Sequence, residues 1–316
     1  MKHVIVTGGA GFIGSHLVER LLVDGKSVVV IDDLSTGTLA NLEAVRNHPR
    51  LRVIHARVSE CGELAELISQ AESIYHLAAA VGVELVLDAT VQSIKTNLRE
   101  TEAVLDAASD HRVPVLLASS SEVYGKSRKE SFSEDDDLVI GPPIHPRWSY
   151  ACSKLMDEFL ALACARERGL PVIIARLFNT VGPRQTGRYG MVLPRFIAAA
   201  KSGAPLRVYG DGTQRRCFCH VLDTVDALVR LQNCRTAQGE IFNVCGSHEI
   251  SILELARLVI STANSRSSIE LVPYAQAYTS GFEDLSQRKA SLEKLQRFIS
   301  FTPHRTLEEL VRAELK

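Results

Sequence analysis

Thr7-Gly8-Gly9-Ala10-Gly11-Phe12-Ile13-Gly14 is the stretch on which the reading of this chain turns. The β-branched run Val4-Ile5-Val6 precedes it, and apolar residues at helical spacing (Ile13, Leu17, Leu21) follow. The glycines therefore fall between a predicted strand at 4–7 and a predicted helix at 12–24. They fit both G-x-x-G-x-x-G (Gly8, Gly11, Gly14) and G-x-G-x-x-G (Gly9, Gly11, Gly14). Glycine serves such a place for three reasons: the turn is tight, the backbone must come close to a pyrophosphate, and the helix must pack against the strand. The helix start, with Phe12 and Ile13 in its first turn, offers free N–H groups and a positive dipole end to that anion. A second apolar strand at 27–31 runs into Asp32. A carboxylate there accepts hydrogen bonds from an adenosine ribose and repels the ribose phosphate of NADP, so the expected cofactor is NAD.

Further along, predicted strands at 52–55, 73–77, 115–118 and 172–177 alternate with helical patterns, notably 91–108 and 150–168. Alternating βαβ units require a parallel sheet with right-handed crossovers. The expected fold is α/β, a doubly wound parallel (Rossmann) sheet with a smaller, mostly C-terminal substrate-binding lobe. Regular alternation fades after residue 178, where Gly182-Pro183-Arg184 and Gly210-Asp211-Gly212 appear. The expected division is 1–178 for the NAD-binding domain, with 218–246 returning to it, and 179–217 plus 247–316 for the second lobe.

Bulk properties narrow the function classes. The 316 residues are 46% hydrophobic and 23% charged, as in an ordinary globular protein. Lys plus Arg is 36 against 37 for Asp plus Glu, a net charge of −1 that offers nucleic acid or an anionic membrane no electrostatic footprint. No apolar run approaches the roughly 20 residues of a membrane span, and the opening apolar run stops at Gly8, too early for a signal peptide. Seven scattered cysteines, an odd number, read as reduced thiols, which points to the cytoplasm. Cys217-x-Cys219 is too closely spaced for a zinc knuckle and has no second pair, so no metal is expected.

Tyr150-Ala151-Cys152-Ser153-Lys154 places a phenol and an ammonium four apart, on one face of a helix. A phenol titrates near pH 10, and a neighbouring ammonium lowers that value, so Lys154 is expected to make Tyr150 a usable base. Taken alone, the pair is equally an amphipathic helix with an exposed lysine. The strand at 115–118 changes the balance, because it opens into Ser119-Ser120-Ser121-Glu122-Val123-Tyr124-Gly125. Sites in open parallel sheets lie beyond the carboxyl ends of the strands. Ser120, Ser121 and Glu122 thus join Tyr150 and Lys154 as catalytic candidates.

With these residues in view, the chain resembles the extended short-chain dehydrogenase/reductases, the NAD-dependent epimerase/dehydratase family, over nearly its whole length. The resemblance implies roles for further positions. His76-Leu77-Ala78-Ala79 matches the family's H-L-A-A, where Leu77, Ala78 and Ala79 border the nicotinamide half of the cofactor, and Asn97 falls in its T-N segment. Leu177-Phe178-Asn179 with Gly182-Pro183-Arg184 resembles the segment leading into the sugar-nucleotide site, which implies Asn179 and Arg184 as substrate contacts. Gly210–Arg216 resembles the segment that holds the nucleotide diphosphate, implying Arg216 and, just before it, Val208. Arg57 stands where many relatives place an Asp on the adenine amine. Relatives commonly pair as homodimers through two helices, here 91–108 and 153–168.

Members of this family begin alike: the tyrosine takes the proton of the sugar 4-hydroxyl while C4 passes hydride to NAD. Ser120-Ser121-Glu122 resembles the T-S-E of UDP-glucuronate decarboxylases, in which the C4 ketone makes a β-keto acid that loses CO₂ and yields UDP-xylose or its 4-keto form. Arg147 fits the P-R that precedes the catalytic Tyr in that group, and Arg288 in Ser286-Gln287-Arg288-Lys289 fits the Arg of its K-R-K-P-D, without the Pro and Asp. Ala80-Val81-Gly82-Val83-Glu84 replaces the group's Ser/Pro-rich loop. The expected partner is a UDP-sugar. Three alternatives stay open: a 4-epimerase of UDP-hexoses or UDP-uronates, a nucleotide-sugar 4,6-dehydratase, and an inert NAD-binding regulatory protein. The dehydratases' T-D-E uses its Asp to protonate a leaving hydroxyl, and Ser121 occupies that position here.

Overall fold

The computed structural model describes residues 2–80, 89–187, 191–277 and 287–315, without the side chains of Ala275, Ala277, Gln287 and Arg288. Its strands are β1 (His3–Thr7), β2 (Val28–Asp32), β3 (Leu51–His55), β4 (Ala71–His76), β5 (Val115–Ser120), β6 (Val172–Leu177), β7 (Thr180–Val181), β8 (Leu206–Tyr209), β9 (Arg215–Cys217), β10 (Cys219–His220), β11 (Ile241–Val244), β12 (Glu249–Ser251), β13 (Ile269–Val272) and β14 (Gln287–Arg288). The helices used below are α1 (Phe12–Val23), α2 (Leu64–Ser69), α3 (Thr90–His111), α4 (Trp148–Arg168), α5 (Val192–Ser202), α6 (Val221–Gln232) and α7 (Ile252–Thr262).

Strands buried on both faces read as continuous β-branched runs, and Val4-Ile5-Val6 and Val28-Val29-Val30-Ile31 are such runs. They are interior strands of a seven-stranded sheet ordered β11-β6-β5-β4-β1-β2-β3. Every neighbouring pair is parallel. Side chains alternate across the sheet. Val4, Val6, Val28 and Val30 face a core shared with Leu17 and Leu21 of α1 and Val225 and Leu228 of α6. Ile5, Ile31 and Ile74 face the opposite core, with Leu67 and Ile68 of α2, Val104 and Leu105 of α3 and Ala161 of α4. This is the doubly wound α/β architecture that the alternating pattern predicts. After β3 the chain returns to place β4 beside β1, and that reversal opens a crevice above the carboxyl ends of the two strands.

A separate hydrophobic cluster joins α5 and α7 to β8 and to Leu310 and Val311. A smaller one links the two layers: Tyr124, Phe132, Phe178, Cys217 and Cys245 pack together, with the Tyr124 and Phe132 rings stacked 4.6 Å apart. Two of the shifts in predicted boundaries bear on the site. β5 continues to Ser120, because Ser119 and Ser120 still pair with Arg176 and Leu177 of β6, so these serines belong to the strand rather than to a turn. The helix predicted from Tyr150 begins at Trp148, which puts Tyr150 in its first turn. Among the described residues, no helix is long and apolar enough to cross a membrane.

Candidate active site

The glycine turn is shaped by what crowds it. Gly8 has φ +69, and a Cβ there would meet the Ala78 backbone nitrogen at 2.9 Å. A Cβ on Gly14 would lie 2.1 Å from the Gly8 carbonyl oxygen. α1 then starts at Gly11 with no side-chain cap, leaving first-turn N–H groups to be satisfied by something else. Gly8, Gly11, Phe12, Ile13 and Gly14 all line a cavity of about 680 Å³. An uncapped helix start beside a turn too tight to admit any Cβ suits a pyrophosphate.

At one end of that cavity lies Asp32, 7% exposed. Its Oδ2 accepts the Ala10 N–H and its Oδ1 the Leu34 N–H, each at 2.8 Å. Burial pushes this carboxyl up, and the two backbone donors act against the shift. Each carboxylate oxygen can accept more than one bond, so capacity for a ribose hydroxyl is retained. Arg57 also lines the cavity and is held by Asp33, with Nε 3.5 Å from Oδ2.

Leu77, Ala78 and Ala79 form the floor beyond β4. Beneath them His76 shares a hydrogen bond with Thr7 Oγ1 (2.8 Å) and another with Thr101 Oγ1 (3.2 Å). Burial, aided by the Lys154 charge, brings His76 down to about 3, so the ring is neutral. Asn97 is buried and does not line the cavity. It accepts the Ala80 N–H (2.8 Å) and donates to Ser153 Oγ (3.1 Å), tying the end of β4 to α4.

The catalytic candidates converge. Ser120 caps the 3₁₀ turn Ser121–Tyr124, its Oγ accepting the Glu122 N–H at 3.2 Å. Ser120, Ser121, Glu122, Arg147, Tyr150 and Lys154 all line the cavity. Tyr150 is pushed above its ordinary value by burial and then by the Glu122 charge, while a hydrogen bond with Ser120 opposes the rise. The expectation that Lys154 lowers the Tyr150 phenol is corrected here. Lys154 Nζ lies 2.8 Å from Asp157 Oδ2 in a buried pair, and the Tyr150 phenol is raised rather than lowered. The ammonium is claimed by a carboxylate almost one helical turn further on. Glu122 instead faces Arg147, with Oε2 3.5 Å from Nη2, and the Arg147 guanidinium lies over the Trp148 ring at 5.0 Å.

No sequence signal marks the layer underneath. Ser119 donates to Glu158 at 2.5 Å, Arg176 holds the same carboxylate with Nε and Nη2, and Tyr124 donates to Asn243 at 2.7 Å. These buried bonds fix the turn that carries Glu122.

Asn179 also lines the cavity and donates to the Cys217 carbonyl at 3.1 Å. Arg184, with φ 71, reaches Glu19 at 2.6 Å and donates to Ser15 Oγ. Arg216 lines the cavity and is 9% exposed. Val208 is fully buried among α5 and α7, and its strand neighbours Arg207 and Tyr209 line the cavity in its stead. Two-residue alternation along β8 is the signal that separates them. Tyr209 Oη accepts a bond from Arg195, a further lining residue absent from the sequence reading. β14 pairs with β9 so that Arg288 stands opposite Arg216 in the ladder; its side chain, like residues 81–84, lies outside the described residues.

The model of the NAD dependent epimerase/dehydratase family matches residues 4–245. The chain is 40% identical to UDP-N-acetyl-alpha-D-glucosaminuronate decarboxylase of Bacillus cytotoxicus, across 98% of this chain and 95% of that one. It is 35% identical to UDP-glucuronic acid decarboxylase 1 of Danio rerio, across 98% of this chain and 70% of the relative. Among solved structures it is similar to UDP-glucuronic acid 4-epimerase of Bacillus cereus in complex with UDP-glucuronic acid and NAD, with TM-score 0.89, 27% identity, and 100% and 98% of the two chains covered.

Proposed function

Because the chain belongs to the NAD dependent epimerase/dehydratase family, we propose that it is an NAD-dependent nucleotide-sugar decarboxylase that converts UDP-glucuronate to UDP-xylose or its 4-keto form. The observation that carries this reading is the Ser120-Ser121-Glu122 turn beside Tyr150, with Glu122 facing Arg147 and no Asp at position 121.

Gly8, Gly11, Phe12, Ile13 and Gly14 hold the cofactor's pyrophosphate, Asp32 its adenosine ribose, and Leu77–Ala79 and Lys154 its nicotinamide half. Asn97 supports that wall from behind through Ala80 and Ser153. When bound, NAD supplies the hydride acceptor for C4 and a cationic ring, which favours a phenolate near it. Tyr150, hydrogen-bonded to Ser120, takes the proton of the 4-hydroxyl as C4 becomes a ketone. The C5–C6 bond then breaks, its electron pair passes into the C4 carbonyl as an enolate, and CO₂ leaves. A proton returns to C5, where Glu122 is the acid–base group on that side of Tyr150, giving the 4-ketone; for UDP-xylose, C4 must also take the hydride back while Tyr150 returns the proton to its oxygen. Ser121 is far too weak an acid to protonate a departing C6 hydroxyl, which speaks against 4,6-dehydration. Arg216 and Arg288 serve the diphosphate, Asn179 and Arg184 the sugar nucleotide. Intact Ser120, Tyr150 and Lys154 speak against an inert regulatory protein.

A second reading concerns the sugar. The relative from Bacillus cytotoxicus is named for a 2-acetamido uronate, so UDP-N-acetylglucosaminuronate is the competing substrate for the same chemistry. We also read the chain as two lobes, 1–178 with 218–246 and 179–217 with 247–316. A homodimer through α3 and α4 is supported by Cys152, Met156 and Phe159, exposed at positions 0, 4 and 7 along α4, and by Val91, exposed at the start of α3. Seven free cysteines support the cytoplasm.

The test is incubation with UDP-glucuronate, its 2-acetamido counterpart and UDP-glucose, following CO₂ release and products by mass and NMR. A UDP-pentose or its 4-ketone is expected. UDP-galacturonate with its carboxylate retained, or UDP-galactose from UDP-glucose, would replace this reading by the epimerase. Glu122→Gln keeps the shape and should slow CO₂ release by about tenfold or more while substrate affinity changes about threefold at most.

A further inference from the structure

We propose that Arg147 selects a sugar bearing a C6 carboxylate over the neutral hexose, by extending its guanidinium to that carboxylate beside Glu122. The inference rests on the decarboxylase reading of this site and names the group that distinguishes its substrate.

Position comes first. Arg147 precedes α4, lines the cavity, and keeps only 7% of its side chain exposed. Its guanidinium lies against Trp148, a ring that is itself 1% exposed and therefore fixed. Glu122 meets Arg147 on one side, and its charge reaches Tyr150 on the other. The sugar's C6 is attached to C5, the neighbour of the C4 whose hydroxyl Tyr150 serves. A C6 carboxylate therefore enters the Glu122–Tyr150–Arg147 cluster and brings a second negative charge close to Glu122.

A counter-charge must come from the cavity wall. Lys154 is bound to Asp157, Arg184 to Glu19, Arg57 to Asp33 and Arg207 to Glu270, Arg195 donates to Tyr209, and Arg216 comes from a different element, β9. Among the described residues, Arg147 is the cavity-lining cation that faces Glu122. Its contact with Glu122, at 3.5 Å, is long for a charge-assisted bond, whose usual range is about 2.7–2.9 Å. A guanidinium has five donors in a planar fork that matches a carboxylate, so one Arg can bridge Glu122 and the substrate. Glu122 and Arg147 together are neutral. A bound uronate makes the cluster −1, and loss of Arg147 would make it −2, against −1 with a neutral hexose. The penalty for losing Arg147 thus falls on the uronate.

The chemistry also says where the effect appears. As the C5–C6 bond breaks, the carboxylate charge passes to the enolate and CO₂ departs neutral. An attraction present in the ground state and weaker at the transition state tightens binding and does nothing to speed turnover. Arg147 is accordingly a specificity residue, read in Kd and KM more than in kcat.

Affinities of intact NAD-loaded enzyme for UDP-glucuronate, UDP-glucose and UDP are measured by calorimetry for wild type, Arg147→Met and Arg147→Lys. Methionine keeps the length and the packing on Trp148. We expect wild type to bind UDP-glucuronate at least about tenfold more tightly than UDP-glucose, a difference of about 1.4 kcal/mol. Arg147→Met should bring that ratio below about threefold, with UDP and UDP-glucose affinities nearly unchanged, and Arg147→Lys should restore part of it. A preference that survives in Arg147→Met, equal loss of all three ligands, or no preference in wild type overturns the proposal. If Arg147→Met does not fold, the salt dependence of wild type decides: raising ionic strength must weaken UDP-glucuronate more than UDP-glucose, and equal weakening overturns the idea. Failure of the decarboxylase reading looks different, as preferential binding of UDP-glucuronate without release of CO₂.

Discussion

Replacing Asp32 by asparagine removes the charge at the ribose end of the cofactor site and leaves side-chain volume almost unchanged. Asp32 accepts two backbone N–H groups at 2.8 Å, from Ala10 and Leu34. Asparagine can serve one of them and turns an NH₂ toward the other, a loss of about 1.5–3 kcal/mol for a bond to a charged group. Burial works the other way. The Asp32 carboxyl is raised in the folded protein, so its ionised form is less favourable folded than unfolded. That term lowers stability as pH rises from the unfolded value through the folded one, and asparagine abolishes it. The net change in stability at neutral pH should therefore stay within about 2 kcal/mol. The cofactor effect is larger. A ribose phosphate about 4 Å from the carboxylate costs about 4 kcal/mol per charge pair at an effective dielectric constant of 20. Arg57, with 42% of its side chain exposed and Asp33 as its partner, offsets part of this, and solvent screens more. About 2–3 kcal/mol remains, on the order of a hundredfold in favour of NAD. Asp32→Asn should weaken NAD by about tenfold and bring the NAD/NADP ratio below about ten. Titration of cofactor-stripped enzyme with each nucleotide measures both. Wild-type enzyme that purifies with NADP, or an unchanged ratio in the variant, would show that Asp32 does not read the ribose.

Tyr150→Phe should reduce turnover by at least about a hundredfold with NAD affinity preserved, because only the hydroxyl is lost; near-normal turnover would assign the base elsewhere. Asp157→Leu leaves the buried Lys154 ammonium without its 2.8 Å partner and should cost about 3–5 kcal/mol in urea unfolding. Adding Lys154→Met to it should recover most of that loss, and a double variant as unstable as the single one would mean that packing, not charge, is responsible. Arg216→Ala should weaken inhibition by UDP by about 1.5–3 kcal/mol, and unchanged inhibition would remove Arg216 from the diphosphate site.

The features legible in the sequence are local. The run from Val4 to Gly14 encodes strand, turn and helix within one short segment, and Asp32 follows at the end of the next strand. Tyr150 and Lys154 share a face because a helix repeats every 3.6 residues, and the alternating strands dictate a parallel sheet. None of these needs a distant partner. Tertiary structure decided whatever depends on packing between segments far apart in the chain. Lys154 was read as the neighbour that activates Tyr150, yet its bond goes to Asp157, whose burial is set by the packing of α3 on α4. Asn97 was read as touching cofactor and is a brace behind the wall. Val208 points into a core that exists only once α5 and α7 close over β8, which leaves Arg207 and Tyr209 to the cavity. Glu122 and Arg147 are 25 residues apart and meet only because β5 and the start of α4 end at the same crevice. Periodicity fixes which way a side chain points within its own element; which charge it meets there is set by the elements that pack against it.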